Sequence, residues 1–268
     1  MDKSLMEMKD RTAVITGGAS GLGRATALRF LRRGARCAIW DMNEEKGDAL
    51  VKDLPGDAIF CRVDVSDEKS VESAIEDTVA AFDTIHINCN FAGVGAAART
   101  IGKKGVFPLK LFDSVVRINL IGTFNVLRLC AEKMSKNDTL DEQGSRGCII
   151  NTASGAAFEG QIGQSAYSAS KAGIVGMTLP IARDLANYGI RCNTIAPGLI
   201  ATPLVMGGSD VMTPEIRDAL GPLADVAVFP KRLGNPDEIA HVAQMLVEND
   251  YMNGETVRCD AAARLPPK

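Results

Sequence analysis

Histidine is nearly missing from this chain: of 268 residues, only His86 and His241 carry an imidazole. No Cys/His cluster forms along the sequence, which argues against a zinc centre. The seven cysteines are odd in number, scattered through apolar runs and never spaced C-x-x-C, so they read as reduced thiols in a reducing compartment. No stretch approaches 18 apolar residues. Met1–Lys9 has neither the apolar core of a signal peptide nor the basic, acid-poor make-up of a transit peptide, so a cytoplasmic location is expected. A net charge of −3 excludes nucleic-acid or membrane binding driven by bulk electrostatics. Also lacking are a linker, a break in composition, a short internal repeat and a low-complexity tract.

What remains is an ordinary globular composition, 46% hydrophobic and 24% charged. Apolar runs alternate with helical patterns about six times. The strands are expected at Arg11–Thr16, Cys37–Asp41, Ala58–Val63, Ile85–Asn90, Cys148–Ala153 and Arg191–Ala196, with a last one at Glu255–Cys259. This predicts an α/β fold: a doubly wound parallel sheet with helices on both faces, residues 1–268 forming one domain. Ala97–Lys110, rich in glycine and lysine, reads as a surface loop. Lys136–Gly147 reads as a polar excursion, and residues 203–234 as a lid. His86 and Asn88 are unexpected in a central strand and need neighbours or strand ends to satisfy them.

The first strand runs into Gly17-Gly18-Ala19-Ser20-Gly21-Leu22-Gly23 and then a helix. Such a turn lets backbone approach a pyrophosphate at the positive end of a helix dipole; a tight turn that binds nothing is the alternative. The spacing is G-x-x-x-G-x-G rather than G-x-G-x-x-G. Asp41 closes the second strand, where a carboxylate accepts both ribose hydroxyls and repels a 2′-phosphate. Ser20 offers no positive charge either, so NAD is expected over NADP. A helix cap is the competing role for Asp41. Asp64, after the third strand, is placed to hydrogen-bond an adenine.

Tyr167 and Lys171 lie four apart, one helical turn from each other. A phenol with pKa about 10 must lose about three pH units, about 4 kcal/mol, to work near neutrality. An ammonium about 4 Å away at an effective dielectric near 20 supplies that much. Ser154 closes the preceding strand and faces this helix, where its hydroxyl can hold a carbonyl or alcohol oxygen. Asn119, inside an apolar helical stripe, needs a partner: backbone, a water or the lysine.

Thr16-Gly17-x-x-x-Gly21-x-Gly23, Asp64, Asn90-x-Ala92-Gly93, Asn119, Ser154, Tyr167-x-x-x-Lys171 and Pro197-Gly198 fall in order along the chain. This pattern resembles the short-chain dehydrogenase/reductase family, with a narrower likeness to its members that act on 3-hydroxyacyl-CoA thioesters and hydroxysteroids. The resemblance implies a Rossmann-type fold and NAD-dependent interconversion of a secondary alcohol and a ketone, the substrate an acyl-CoA thioester, a steroid or a cyclic alcohol. It implies Tyr167 as acid/base, Ser154 as substrate-orienting group, Lys171 lowering the tyrosine pKa while binding ribose, and Asn119 holding a relay water. It implies a cofactor site made of Gly17, Ser20, Gly21, Leu22, Gly23, Asp41, Asp64, Val65, Asn90, Ala92, Gly93, Tyr167, Lys171, Pro197, Gly198, Ile200 and Thr202. Gln161 would line the substrate pocket, Lys103 or Lys104 would meet CoA phosphates, and the chain would form dimers or tetramers. Phe91 departs from the family's Asn or Cys and is expected to change packing only. A dinucleotide-binding scaffold subunit of a larger assembly is the reading from another class.

Overall fold

The computed structural model describes residues 6–103 and 105–267; Met1–Leu5, Lys104 and Lys268 lie outside the described residues. Among the described residues, β1 (Thr12–Thr16), β2 (Arg36–Asp41), β3 (Ala58–Arg62), β4 (Ile87–Asn90), β7 (Gly147–Thr152), β8 (Ile190–Pro197) and β9 (Thr256–Cys259) form one parallel sheet. Its order is β3-β2-β1-β4-β7-β8-β9. The chain winds outward from β1 in one direction and from β4 in the other. A crevice therefore opens between the carboxyl ends of those two strands, where α/β sheets hold ligands.

Burial follows the strand period on both faces. On β1, Ala13 and Ile15 join a core with Phe30 and Leu31 of α1 (Gly21–Arg32), Leu50 of α2 (Glu44–Asp53) and Ile239 and Leu246 of the late helix Pro236–Glu248. Val14 joins the opposite core with Val71 and Ile75 of α3 (Glu68–Phe82) and the apolar stripe of the helix that precedes β7. Two-sided apolar strands are what a covered parallel sheet needs. Each fully buried Ile, such as Ile15 or Ile150, contributes about 2–3 kcal/mol of transfer free energy.

The two polar residues of the fourth strand region are satisfied as required. His86 sits just before β4, and its Nδ1 accepts the Thr12 N–H at 3.1 Å. Burial, with Arg11 and Arg36 nearby, lowers its pKa to about 4, so it stays neutral and structural. Asn88 joins an amide ladder: Asn90 Nδ2 donates to Asn88 Oδ1 at 2.8 Å and across to Asn151 Oδ1 of β7 at 2.9 Å.

Three segments differ from expectation. The glycine- and lysine-rich loop contains a small antiparallel hairpin, β5 (Ile101–Gly102) and β6 (Gly105–Val106). The helix expected around Asn119 spans α4 (Leu109–Val116), a π-helical turn at Arg117–Ile121 and α5 (Gly122–Met134). The widened turn carries the buried Asn119, as such bulges often carry functional groups. This helix has the length and apolarity of a membrane span, with mean hydropathy 1.2, but half of that stretch is buried inside the protein. The lid region is not wholly irregular either: it holds α7 (Pro214–Ala219) and α8 (Gly221–Ala224), ahead of α9 (Pro236–Glu248). The remaining helix, α6 (Ser165–Leu185), lies between β7 and β8 and carries Tyr167 and Lys171.

Candidate active site

The crevice holds a groove of about 340 Å³ lined by the glycine turn, the ends of β2 and β3, the turn after β4 and the start of the lid. Gly17, Ser20, Gly21, Leu22, Gly23, Asp41, Asp64, Val65, Ala92, Gly93 and Thr202 all line it, as expected. Gly17 has φ +62, and a Cβ there would stand 2.9 Å from the Ala92 nitrogen. A Cβ on Gly23 would meet the Gly17 carbonyl oxygen at 2.3 Å, so no larger residue closes this turn. Ser20 precedes α1 without a side-chain cap, which leaves the first-turn N–H groups open to an anion.

Asp41 is not the cap of α2. Asn43 is, accepting the Lys46 N–H through its side chain. Asp41 instead accepts the Ala19 N–H at 3.1 Å and the Asn43 N–H at 3.0 Å, which fixes its carboxylate beside the glycine turn. Asp64 turns one oxygen to the N–H and hydroxyl of Ser66. Among the described residues lining the groove, none is Lys, Arg or His. An uncapped helix start, an anchored carboxylate and this lining together fit a dinucleotide.

Beyond Gly93 the groove meets the catalytic candidates. A Cβ on Gly93 would lie 3.2 Å from Asn119 Oδ1 and 3.7 Å from Lys171 Nζ. Lys171 is buried and donates to the Thr152 carbonyl at 2.7 Å. Its ammonium is 5.8 Å from the centre of the Tyr167 ring. Asn119 Oδ1 accepts the Val94 N–H at 2.8 Å, and its Nδ2 donates to the Val94 carbonyl and the Ser170 hydroxyl. Backbone is thus the partner that the polar residue required. A relay water would have to share these atoms. The Ser154 hydroxyl accepts the Ala156 N–H at 3.2 Å and also hydrogen-bonds to Tyr167.

The electrostatics correct one expectation. Burial pushes the Tyr167 phenol above its ordinary pKa, and the opposing pull comes from the Ser154 hydrogen bond. Lys171 is itself lowered to about 8 by burial, and its ammonium donates to the Thr152 carbonyl. A spacing of i, i+4 brings two side chains to one face, but it does not fix where the ammonium points.

Six expected cofactor residues do not line the groove: Tyr167 and Lys171, which stand beyond Gly93, and four others. Asn90 is buried in the amide ladder. Pro197 and Gly198 close β8 against β9, where the Gly198 N–H donates to the Cys259 carbonyl at 3.0 Å. Ile200 is buried and bridges to Gly234. Asn90 and Ile200 stand one and two residues from groove residues, Gly198 and Pro197 four and five. Gln161 also departs from its expected role. Its Nε2 donates to the Pro266 carbonyl and its Oε1 accepts from Gln164, so the amide is engaged within the protein. Sequence reasoning missed Trp40, Met42, Val63, Val94, Ile118, Pro203 and Leu204, which also line the groove. Their only signal was adjacency to the motif positions. Phe91 packs against the core and lines the groove.

Comparison with known proteins agrees with this geometry. The short chain dehydrogenase family model matches residues 11–210, well over half of the chain. The 3-hydroxyacyl-CoA dehydrogenase type-2 of Rattus norvegicus is 49% identical over 100% of both chains. A crystal structure of 3-hydroxyacyl-CoA dehydrogenase type-2 from Mycobacterium avium superposes with TM-score 0.88 at 39% identity, covering 98% of this chain and 100% of that one. The crystal structure of levodione reductase superposes with TM-score 0.83 at 36% identity, covering 94% and 97%. With its glycine turn, Asp41, Ser154, Tyr167 and Lys171 all at the carboxyl edge of the sheet, the chain belongs to the short-chain dehydrogenase/reductase family and is an oxidoreductase.

Proposed function

We propose that the protein interconverts a 3-hydroxyacyl-CoA and the corresponding 3-ketoacyl-CoA with NAD as its cofactor. The observation that carries this reading is the convergence of Tyr167, Ser154 and Lys171 at the Gly93 end of a groove whose other end is closed by a fixed carboxylate. A bound nicotinamide supplies the hydride acceptor or donor at its C4. The chain's own groups handle the oxygen and its proton. Ser154 holds the substrate oxygen, and Tyr167 exchanges the proton with it. Lys171 lies beyond Gly93, and Asn119 anchors the Val94 backbone that shapes this end of the groove.

The thioester substrate is supported by whole-chain likeness to proteins named 3-hydroxyacyl-CoA dehydrogenase. Lys103 stands exposed on the β5–β6 hairpin, a position from which it can meet a CoA phosphate. A second reading, a cyclic ketone or alcohol, is favoured by the likeness to levodione reductase and by the apolar lid residues Leu204 and Met206. Homodimers or homotetramers are supported by the part-exposed Ile121, Phe124 and Leu179 on α5, its preceding turn and α6. A reducing compartment such as the cytoplasm is supported by seven unpaired cysteines.

Initial rates with NADH on acetoacetyl-CoA, a steroid ketone and a cyclic ketone test the substrate. Acetoacetyl-CoA is expected to be reduced with the highest kcat/KM, and preference for the cyclic ketone would replace the first reading with the second. Asp41→Ala tests the cofactor. Removing a carboxylate that faces a 2′-phosphate is worth about 1–3 kcal/mol. The NADP-to-NAD ratio of kcat/KM should therefore rise roughly tenfold to a hundredfold. A wild-type enzyme that already prefers NADP would refute the assignment.

A further inference from the structure

Past β9 the chain turns back on itself through Ala261 and Ala262, with φ 53 and 58. Two successive non-glycine residues in the left-handed region persist only where surrounding contacts hold them. The contacts are visible on both sides. The Ala261 carbonyl accepts the Val228 and Phe229 N–H groups of the lid, at 3.0 and 3.4 Å. The following residues cross to the loop between Ser154 and Tyr167: the Ile162 N–H donates to the Pro267 carbonyl at 3.0 Å, and Gln161 Nε2 to the Pro266 carbonyl at 3.1 Å. One segment thus ties the lid to the loop that separates the two catalytic candidates.

Arg258, next to last in β9, holds the base of this crossing. Its guanidinium makes a two-pronged contact with Glu159 at 2.8 and 3.1 Å, and a 2.7 Å contact with Asp260. It also donates to the Ala263 carbonyl and lies 5.2 Å from the centre of the Phe158 ring. Arg264 adds longer contacts to both carboxylates, at 3.3 and 3.4 Å. The Arg258 side chain is 24% exposed and Asp260 9%, so the pairs are largely withdrawn from solvent screening. A Cβ on Gly155 would lie 3.9 Å from this guanidinium, one residue from Ser154.

We propose that the segment Asp260–Pro267, anchored by Arg258 on Glu159, is the strap that sets the width of the substrate site between lid and loop. It is thereby a determinant of which ketones reach Tyr167. Arg258 and Glu159 are positioning residues in it. The proposal rests on the oxidoreductase reading for its kinetic consequence but not for its structural one. Two proline residues at its end, with fixed φ, give the strap a stiff edge.

The test is the full-length protein against a variant ending at Arg264, together with Glu159→Gln and Arg258→Lys. Hydrogen–deuterium exchange is read first: truncation should speed exchange at residues 159–164 and at the lid segment around Val228. Unchanged exchange at both would overturn the strap whatever the substrate. Kinetics then compare acetoacetyl-CoA with a bulky cyclic ketone. The truncated enzyme should lose roughly tenfold in its discrimination between them, mainly through KM, while NADH dissociation stays within about twofold. Arg258→Lys, which keeps the charge on Glu159 but not the two-pronged contact, should lose less selectivity than Glu159→Gln. Equal discrimination in the truncated and intact enzymes would overturn the specificity role, as would a parallel collapse of NADH binding. Failure of the intact enzyme to reduce either ketone would count against the proposed activity, leaving the exchange result to decide the strap.

Discussion

Tyr167→Phe should lower kcat by roughly 10²–10⁴-fold, the usual worth of a positioned proton donor or acceptor. The ring that packs beside Lys171 is retained, so NADH dissociation and thermal midpoint should stay close to wild type. Burial raises this phenol's pKa, so at neutral pH it carries its proton. Ketone reduction should therefore run well at pH 7, and alcohol oxidation should climb as pH rises, up to tenfold per pH unit below the controlling pKa. Stopped-flow or steady-state rates in both directions between pH 6 and 10 check this. A phenylalanine variant within threefold of wild type would remove Tyr167 from the reaction.

Lys171→Met carries the second large effect, with opposite signs for activity and stability. Activity should fall by roughly 10²-fold or more, because the only ammonium beside Gly93 in the described geometry is lost. The folded pKa is about 8, below its ordinary 10.5, so the folded state binds this proton more weakly than the unfolded one. Below pH 8 the lysine is charged in both states and the full burial penalty applies. Between pH 8 and 10.5 the unfolded chain holds the proton that the folded chain has released, so stability rises with pH across that window. The penalty is about 3 kcal/mol at ~1.4 kcal/mol per pH unit. Loss of the hydrogen bond to the Thr152 carbonyl offsets about 1–3 kcal/mol of the gain. At pH 7 the methionine variant should thus be no less stable than wild type, and the wild type should close any gap as pH approaches 10.5. Urea unfolding of both proteins at pH 7 and pH 10 reads this directly. A variant strongly destabilised at pH 7 would show that Lys171 is a structural anchor first.

Much of this site was legible before the fold was known, and the reason is local. The glycine turn, Asp41 and the Tyr167/Lys171 spacing each rest on residues within one turn of helix or one strand end, where backbone geometry alone places the groups. The strands were found within about two residues of their ends, as a two-sided apolar sheet leaves a continuous signal. What escaped was set by distant contacts. Whether Asn90 faces the groove depends on Asn151, 61 residues away. Whether Gln161 reaches substrate depends on Pro266, 105 residues away. The direction of the tyrosine shift depends on how deeply the fold buries it, which spacing does not encode. The π-helical turn around Asn119 escaped because its apolar stripe reads the same with or without one widened turn. The hairpin at Ile101–Val106 is too short to show an alternating pattern.

The amide ladder on β4 and β7 has a consequence for how the two halves of the active site stay in step. β4 delivers Gly93, and β7 delivers the Thr152 carbonyl that grips Lys171. A register slip of one residue would move one strand by about 3.3 Å and turn its side chains to the opposite face. A shift here would strand buried carboxamides without partners, at about 1–3 kcal/mol apiece. Three asparagines thus act as a vernier, locking the cofactor turn and the proton-handling helix into a single alignment.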